Sequence, residues 1–164
     1  MDTKHFPDFY RANFKRIYRF YFFRVGGKRE IAEDLTQDVF VKALGAFESY
    51  DPETSKSAWI YTIARNHFVN YLEKSRPGVP LEDVEELASM SDDWPEQMMQ
   101  RHDAKRLFTA MQELPRPDRD LIRLKFLEGW GYEDIAMQVG KTAGALRVQA
   151  HRALKVLQHI LKQK

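Results

Sequence analysis

The 164-residue sequence predicts an all-α chain: two small helical domains joined by an acidic linker, the second domain carrying a helix-turn-helix. Three observations carry that expectation. Apolar residues recur at helical spacing along almost the whole chain, and no comparable stretch alternates with period two. Arg76-Pro77-Gly78-Val79-Pro80 interrupts the pattern, because each proline disfavours helix in the residue before it and glycine adds backbone freedom. Val79 to Gln97 then carries seven acids (Glu82, Asp83, Glu85, Glu86, Asp92, Asp93, Glu96) and no Lys or Arg; without that stretch the formal charge rises from +2 to +9. Two basic bodies joined by an acidic strap describe the chain better than its near-neutral total.

The first helix is expected over about residues 5 to 25, from the spacing of Phe6, Phe9, Tyr10, Phe14, Ile17, Tyr18 and Tyr21. Gly26-Gly27 ends it. Ile31, Leu35, Val39, Phe40, Leu44 and Phe47 define a second helix over about 28 to 48, closed by the turn-rich run from Ser49 to Ser55. Ile60, Ile63, Ala64, His67 and Tyr71 define a third over about 56 to 75. A second helical block opens near Glu96 with Leu107, Phe108, Met111 and Leu114 on one stripe, and Pro115-Arg116-Pro117 closes it. Asp118 is the expected N-cap of the next helix, which runs to about Leu127 with Leu121, Ile122 and Leu124 inward. Gly129-Trp130-Gly131 makes a turn, Tyr132 to Val139 a short helix stopped by Gly140, and Thr142 caps a last helix through about Leu161.

Composition excludes several classes of function. With 43% hydrophobic residues the chain can build a real core. Zero cysteines exclude a disulfide framework, a Cys-ligated zinc site and a thiol nucleophile, and fit a reducing cytoplasm. The opening Met-Asp-Thr-Lys-His lacks the apolar core of a secretory signal, and no run of about 18 apolar residues could span a bilayer. The five histidines show no metal-ligand spacing and no Gly-rich phosphate loop is present, so neither metal nor cofactor is expected. Paired acids in a flexible strap make poor general acids and bases. A non-catalytic protein is the expectation.

The last two helices form a helix-turn-helix silhouette. On a 100-degree wheel, Ala150, Ala153, Leu154, Leu157 and Leu161 fall within about 80 degrees of Leu146, while Arg147, Val148, His151, Arg152 and Lys155 lie opposite. From Lys141 to Lys164 there is no acid. Cations beside a helix N-terminus suit phosphates, and Arg or Gln near that end can reach base edges; a solvated basic helix in a bundle fits the same periodicity. On the third helix and its approach, Tyr50, Trp59, Tyr61 and Phe68 mix with Lys56, Arg65, Asn66, His67, Asn70 and Lys74. That mixture suits stacked single-stranded bases, although aromatics at helical spacing equally build a core. Ala32 to Asp38 can likewise be a charged outer helix face.

Taken together, these residues resemble the sigma-70 family of bacterial RNA polymerase initiation factors, in its extracytoplasmic-function group. Ile31-Ala32-Glu33-Asp34-Leu35-Thr36-Gln37-Asp38-Val39-Phe40 resembles that group's region 2.2. Ala58-Trp59-Ile60-Tyr61-Thr62-Ile63-Ala64-Arg65-Asn66 is similar to regions 2.3 to 2.4. Leu114-Pro115 through Leu124, Tyr132 to Ala136, Gly140, Gly144 and Arg152-Ala153 are similar to region 4. The chain departs from the family at Asn70, where Asp is frequent, and at Gln149, where Arg or Lys is frequent.

The resemblance implies a promoter-specificity subunit divided into residues 1–76, an acidic linker 77–98 and residues 99–164. It implies polymerase clamp-helix contacts at Glu33, Asp34, Gln37, Asp38 and Phe40. Single-stranded −10 contacts fall on Tyr50, Lys56, Trp59, Arg65, Asn66 and Asn70. Duplex −35 contacts fall on Lys141, Thr142, Ala143, Ala145, Arg147, Val148, Gln149, His151, Arg152 and Lys155. The second domain would also touch the polymerase flap tip, and an anti-sigma factor is an expected partner. A duplex-binding regulator working without polymerase and a polymerase adaptor that ignores promoter DNA are the two rivals.

Overall fold

The computed structural model describes residues 2–78 and 102–163. The chain divides into two compact units, and among the described residues every regular element is helical. Most of the acidic linker, and the expected helical start near Glu96, lie outside the described residues.

The N-terminal unit consists of α1 (Phe6–Arg24), α2 (Arg29–Ala46) and α3 (Lys56–Ser75), with short 3-10 turns at Thr3–His5 and Phe47–Ser49. Proline in the first turn of α1, where the backbone N–H has no helical partner anyway, sets its start. Its end is fixed by Gly26 and Gly27, whose φ values of 64° and 78° suit glycine. Ser55 caps α3 by accepting from Ala58 N at 3.4 Å. Small residues Ala32, Ala43, Ala58 and Ala64, all at most 2% exposed, let the three helices approach closely around Phe9, Ile17, Phe20, Phe47, Ile60 and Phe68. Tyr21 Oη donates to the Ala64 carbonyl at 2.9 Å, tying α1 to α3; burial pushes that phenol up in pKa, keeping it a donor. Truncating Phe20 to Ala here would cost about 3–5 kcal/mol.

The C-terminal unit consists of α4 (His102–Gln112), α5 (Arg116–Ile122) continuing through a π-helical turn (Arg123–Glu128), α6 (Tyr132–Val139) and α7 (Ala143–Gln163). Phe108, Met111, Leu114, Ile122, Ala153 and Leu157 form its core. Inside the π turn a charged cluster is buried: Glu128 Oε2 accepts from Trp130 Nε1 at 3.0 Å, Glu128 Oε1 lies 3.5 Å from Arg123 Nε, and Arg123 reaches Asp120 at 3.2 Å. Arg119 donates to the Gln112 and Leu114 carbonyls, closing the C-terminal end of α4. Gly140, at φ 67°, stops α6, and Thr142 Oγ1 accepts from Ala145 N at 3.1 Å, as the sequence leads one to expect of a helix-turn-helix corner.

Three local expectations are corrected. Asp118 does not cap α5; that helix begins at Arg116 behind Pro115, with proline in its first turn, so Asp118 sits inside the helix. Pro115-Arg116-Pro117 therefore opens a helix as well as closing one. Leu154, expected inward, is 39% exposed.

Candidate polymerase and nucleic-acid interfaces

The outer face of α2 is acidic because its inner face is filled. Ala32, Leu35, Val39 and Ala43 pack inward, leaving Glu33, Asp34, Gln37 and Asp38 exposed. Phe40 is the exception among the expected contacts. It is 4% exposed, with its ring centroid 4.6 Å from Tyr10 and 6.3 Å from both Phe9 and Phe14, so it braces the helix from within. Two apolar residues that were not among the expected contacts are exposed on that face: Val41 (70%) and Leu44 (46%). Stepping about 100 degrees per residue puts Asp34, Gln37, Asp38, Val41 and Leu44 within one arc of about 120 degrees. Val41 was visible in the sequence as an apolar residue off the inward stripe, whereas Leu44, expected on that stripe, lies at its outer edge and is exposed.

Asp38 also faces the third helix. Lys42 Nζ lies 3.0 Å from His67 Nδ1, and because an ammonium can only donate, that nitrogen accepts and the ring proton sits on Nε2. Nε2 is 3.3 Å from Asp38 Oδ2, yet its angle falls short of a hydrogen bond. Burial, followed by the Lys42 charge, holds His67 below its ordinary pKa of 6.5, outweighing the attraction of Asp38. The ring is therefore neutral at pH 7, and the exposed Asp38 carboxylate is only loosely engaged.

On α3 the expected aromatic platform is mostly core. Phe68 and Tyr61 are buried, and Tyr50 turns inward, its hydroxyl donating to the Thr54 carbonyl. The half-buried Trp59 ring sits between Phe9 at 5.7 Å, Tyr50 at 5.2 Å and Phe47 at 6.2 Å. Tyr50 thus braces the loop before α3 from within, while Trp59 packs beside it and stays partly exposed. Core packing took these rings because the three helices need large residues exactly where the helical stripe points. What α3 presents outward is polar: Thr62, Asn66 and Asn70 in one line, Lys56 exposed at its start and Arg65 half-exposed beside it.

The outward face of α7 holds Arg147, Val148, His151, Arg152 and Lys155, and Lys141 sits in the turn just before it, all exposed. Thr142 is spent on the helix cap, and Ala143 and Ala145 flank it without bulk. Arg147 is paired with Glu133 at the start of α6 and lies 5.4 Å over the Tyr132 ring, which Lys125 covers at 4.6 Å. A hydrogen bond to its own backbone and then Arg147 hold the Glu133 carboxyl below the usual range. Gln149 is half-buried, bonded to Lys141 and Asp118. Among the described residues no cluster of three or more His, Asp or Glu could hold a metal ion, and no helix is long and apolar enough to cross a membrane.

Residues 9–77 match the family model described as Sigma-70 region 2, and residues 104–157 that described as Sigma-70, region 4. RNA polymerase sigma factor CarQ of Myxococcus xanthus is 32% identical over 134 residues, covering 80% of this chain and 75% of the relative. RNA polymerase sigma factor YlaC of Bacillus subtilis is 30% identical over 149 residues, covering 89% of this chain and 86% of the relative. ECF RNA polymerase sigma factor BldN of Streptomyces coelicolor is 30% identical, and the chain spans 56% of its length. The fold is shared with the solved structure of CnrH in complex with the cytosolic domain of CnrY, at a TM-score of 0.62 and 18% identity over 99% of this chain and 91% of that one. It is also shared with the sigma factor RpoE in complex with the anti-sigma factor NepR from Bartonella quintana, at a TM-score of 0.52 and 23% identity over 94% of this chain and 97% of that one.

Proposed function

This chain belongs to the sigma-70 family of RNA polymerase sigma factors, in its extracytoplasmic-function group, and from that premise we propose how it works as a non-catalytic promoter-specificity subunit in the cytoplasm. The observation that carries the reading is the division of exposed charge between the two units. An acidic face on α2 is suited to a basic protein surface, and an acid-free face on α7 is suited to a phosphate backbone.

On this reading Glu33, Asp34, Gln37 and Asp38, extended by Val41 and Leu44, dock on the polymerase clamp helices, while Phe40 holds that face in shape. Lys56, Arg65, Asn66 and Asn70 take the melted −10 strand, with Tyr50 and Trp59 fixing the loop that delivers it. Lys141, Arg147, His151, Arg152 and Lys155 take the −35 duplex backbone and bases, Val148 and Gln149 its base edges, and the Thr142 to Ala145 corner brings the helix N-terminus to a phosphate. The family domains are taken as residues 1–76 and 99–164 with the acidic linker at 77–98, the flap tip docking on the second. An anti-sigma factor is proposed as the inhibitory partner, since both charged faces are exposed and available for cover.

Run-off transcription with purified core polymerase tests the whole reading. Factor-dependent transcripts that start at discrete promoters are expected. Duplex binding with no transcript would make the protein a stand-alone regulator, and polymerase binding without promoter selection would make it an adaptor.

A further inference from the structure

Gln149 occupies a defined place in the recognition helix. Lys141 Nζ donates to its Oε1 at 2.9 Å, and its Nε2 donates to Asp118 Oδ1 at 2.8 Å. An ammonium has no acceptor and a carboxylate no donor, so the two partners fix which end of the amide is oxygen and which is nitrogen. Each partner uses only part of the amide's capacity: one Oε1 lone pair and one Nε2 proton remain. Beside them opens a surface hollow of about 500 Å³ lined by Asp118, Ala145, Val148, Gln149 and Arg152.

We propose that Asp118, reaching across from α5, is a specificity-determining positioning residue: it holds the Gln149 amide so that its remaining acceptor and donor read one adenine in the −35 duplex. The proposal rests on the −35 reading of α7 given above. Adenine is the base whose major-groove edge offers a donor and an acceptor side by side, N6–H and N7, and a glutamine amide meets both at once. Ala145 and Val148 give the hollow an apolar wall suited to a thymine methyl, and Arg152 places a cation for a neighbouring phosphate. Without Asp118 the amide would still be tethered by Lys141 through its oxygen alone, free to swing its nitrogen away. Asp118 itself need not touch DNA, which is why it is a positioning residue.

The experiment uses full-length factor bound to core polymerase, selecting from promoter duplexes randomised upstream, followed by affinity ratios for single base-pair changes. Wild type should select an element containing one A·T pair favoured by about tenfold or more, a preference lost in Gln149→Ala. Asp118→Ala should collapse that ratio toward one. Asp118→Asn, which keeps the accepting oxygen and removes the charge, should preserve it. In a Gln149→Ala background Asp118→Ala should change the ratio no further. Because the readout is a ratio, any uniform change in affinity from removing an acid cancels, and thermal melting of each variant separates weakened α5 from altered reading. A wild-type ratio in Asp118→Ala, an equal loss in Asp118→Asn, or an element with no pair dependent on Gln149 overturns the proposal. If wild-type holoenzyme selects no upstream element at all, the −35 reading falls first and takes the proposal with it.

Discussion

The two units solve the same problem in different ways. The N-terminal unit is held by three long helices around a dense aromatic core, and its charged faces lie outside that core: Asp34 and Gln37 could be replaced without disturbing a packing contact. The C-terminal unit is built from shorter pieces joined by polar devices, namely the Thr142 cap, the Arg119 lock on α4, the buried Arg123–Glu128–Trp130 cluster and the Asp118–Gln149–Lys141 relay. There the groups that hold the fold and the groups that face the ligand overlap. The difference teaches that a surface change is informative about binding in the first unit, whereas in the second it has to be separated from stability.

The sharpest test of that contrast is Glu128→Ala. Glu128 is fully buried against Arg123 and Trp130, so its removal takes away one of the two carboxylates that face Arg123, leaving Asp120, and the carboxylate that accepts from the Trp130 indole N–H. A loss of about 3 kcal/mol is expected, the low end of the range for breaking one side of a buried pair, because Asp120 still faces Arg123. Amide exchange should accelerate across α5 to α7 while α1 to α3 keep wild-type protection. Equal acceleration in both units would mean that they are not independently stabilised.

Charge reversal at Asp34 together with Asp38 probes the other half of the contrast. Core polymerase affinity should fall by at least about 30-fold, the lower end of the 2–5 kcal/mol typical of truncating one side of a buried charged contact. Circular dichroism should be unchanged, because both side chains are exposed, and melting should shift only slightly, through the contact of Asp38 with His67. Wild-type affinity in that variant would remove α2 from the polymerase interface.

How much of this was legible in sequence follows the same division. Helix order, the glycine stops and the Thr142 cap could be read directly, because each is a local rule acting over a few residues. The fate of Phe40, Tyr50 and Phe68 could not, since a ring at helical spacing serves a core or a surface equally well until the neighbouring helices are placed. Val41 was visible as an apolar residue off the inward stripe but carried no motif, and Leu44 was counted on the stripe although the packed helices leave it exposed. The link from Asp118 to Gln149 joins residues 31 apart and depends on how α5 meets α7, which no local pattern encodes.

A smaller effect is expected at the helix-turn-helix corner. Thr142→Ala removes the oxygen that accepts from Ala145 N, and should destabilise the C-terminal unit by about 0.5–2 kcal/mol. Thr142→Ser, which keeps the acceptor, should recover most of that loss in a denaturant titration. If serine fails to rescue, the threonine methyl and not the cap is what matters at the corner.

The smallest expected effect is a pH dependence confined to the N-terminal unit. His67 is the histidine lodged between α2 and α3, facing Lys42 and Asp38 from α2, Lys74 from its own helix and the Tyr21 ring of α1 at 6.5 Å; in the C-terminal unit His102, His151 and His159 are all exposed. Burial and then Lys42 depress its folded pKa below 6.5. The unfolded chain therefore takes up the proton first on acidification, so stability is full above about pH 6.5 and declines as pH falls toward the folded value. Protection factors across α2 and α3, which correct for the intrinsic slowing of exchange in acid, should fall over that window in wild type, and His67→Gln should flatten the profile. Lys42→Met should also flatten it, by removing a cation that opposes the ring's protonation. Stability that rises as pH falls would mean that Asp38 outweighs burial and Lys42. Asp38 would then be held by a charged imidazolium and poorly placed to meet a polymerase arginine, shifting the weight of the α2 face onto Asp34, Gln37, Val41 and Leu44.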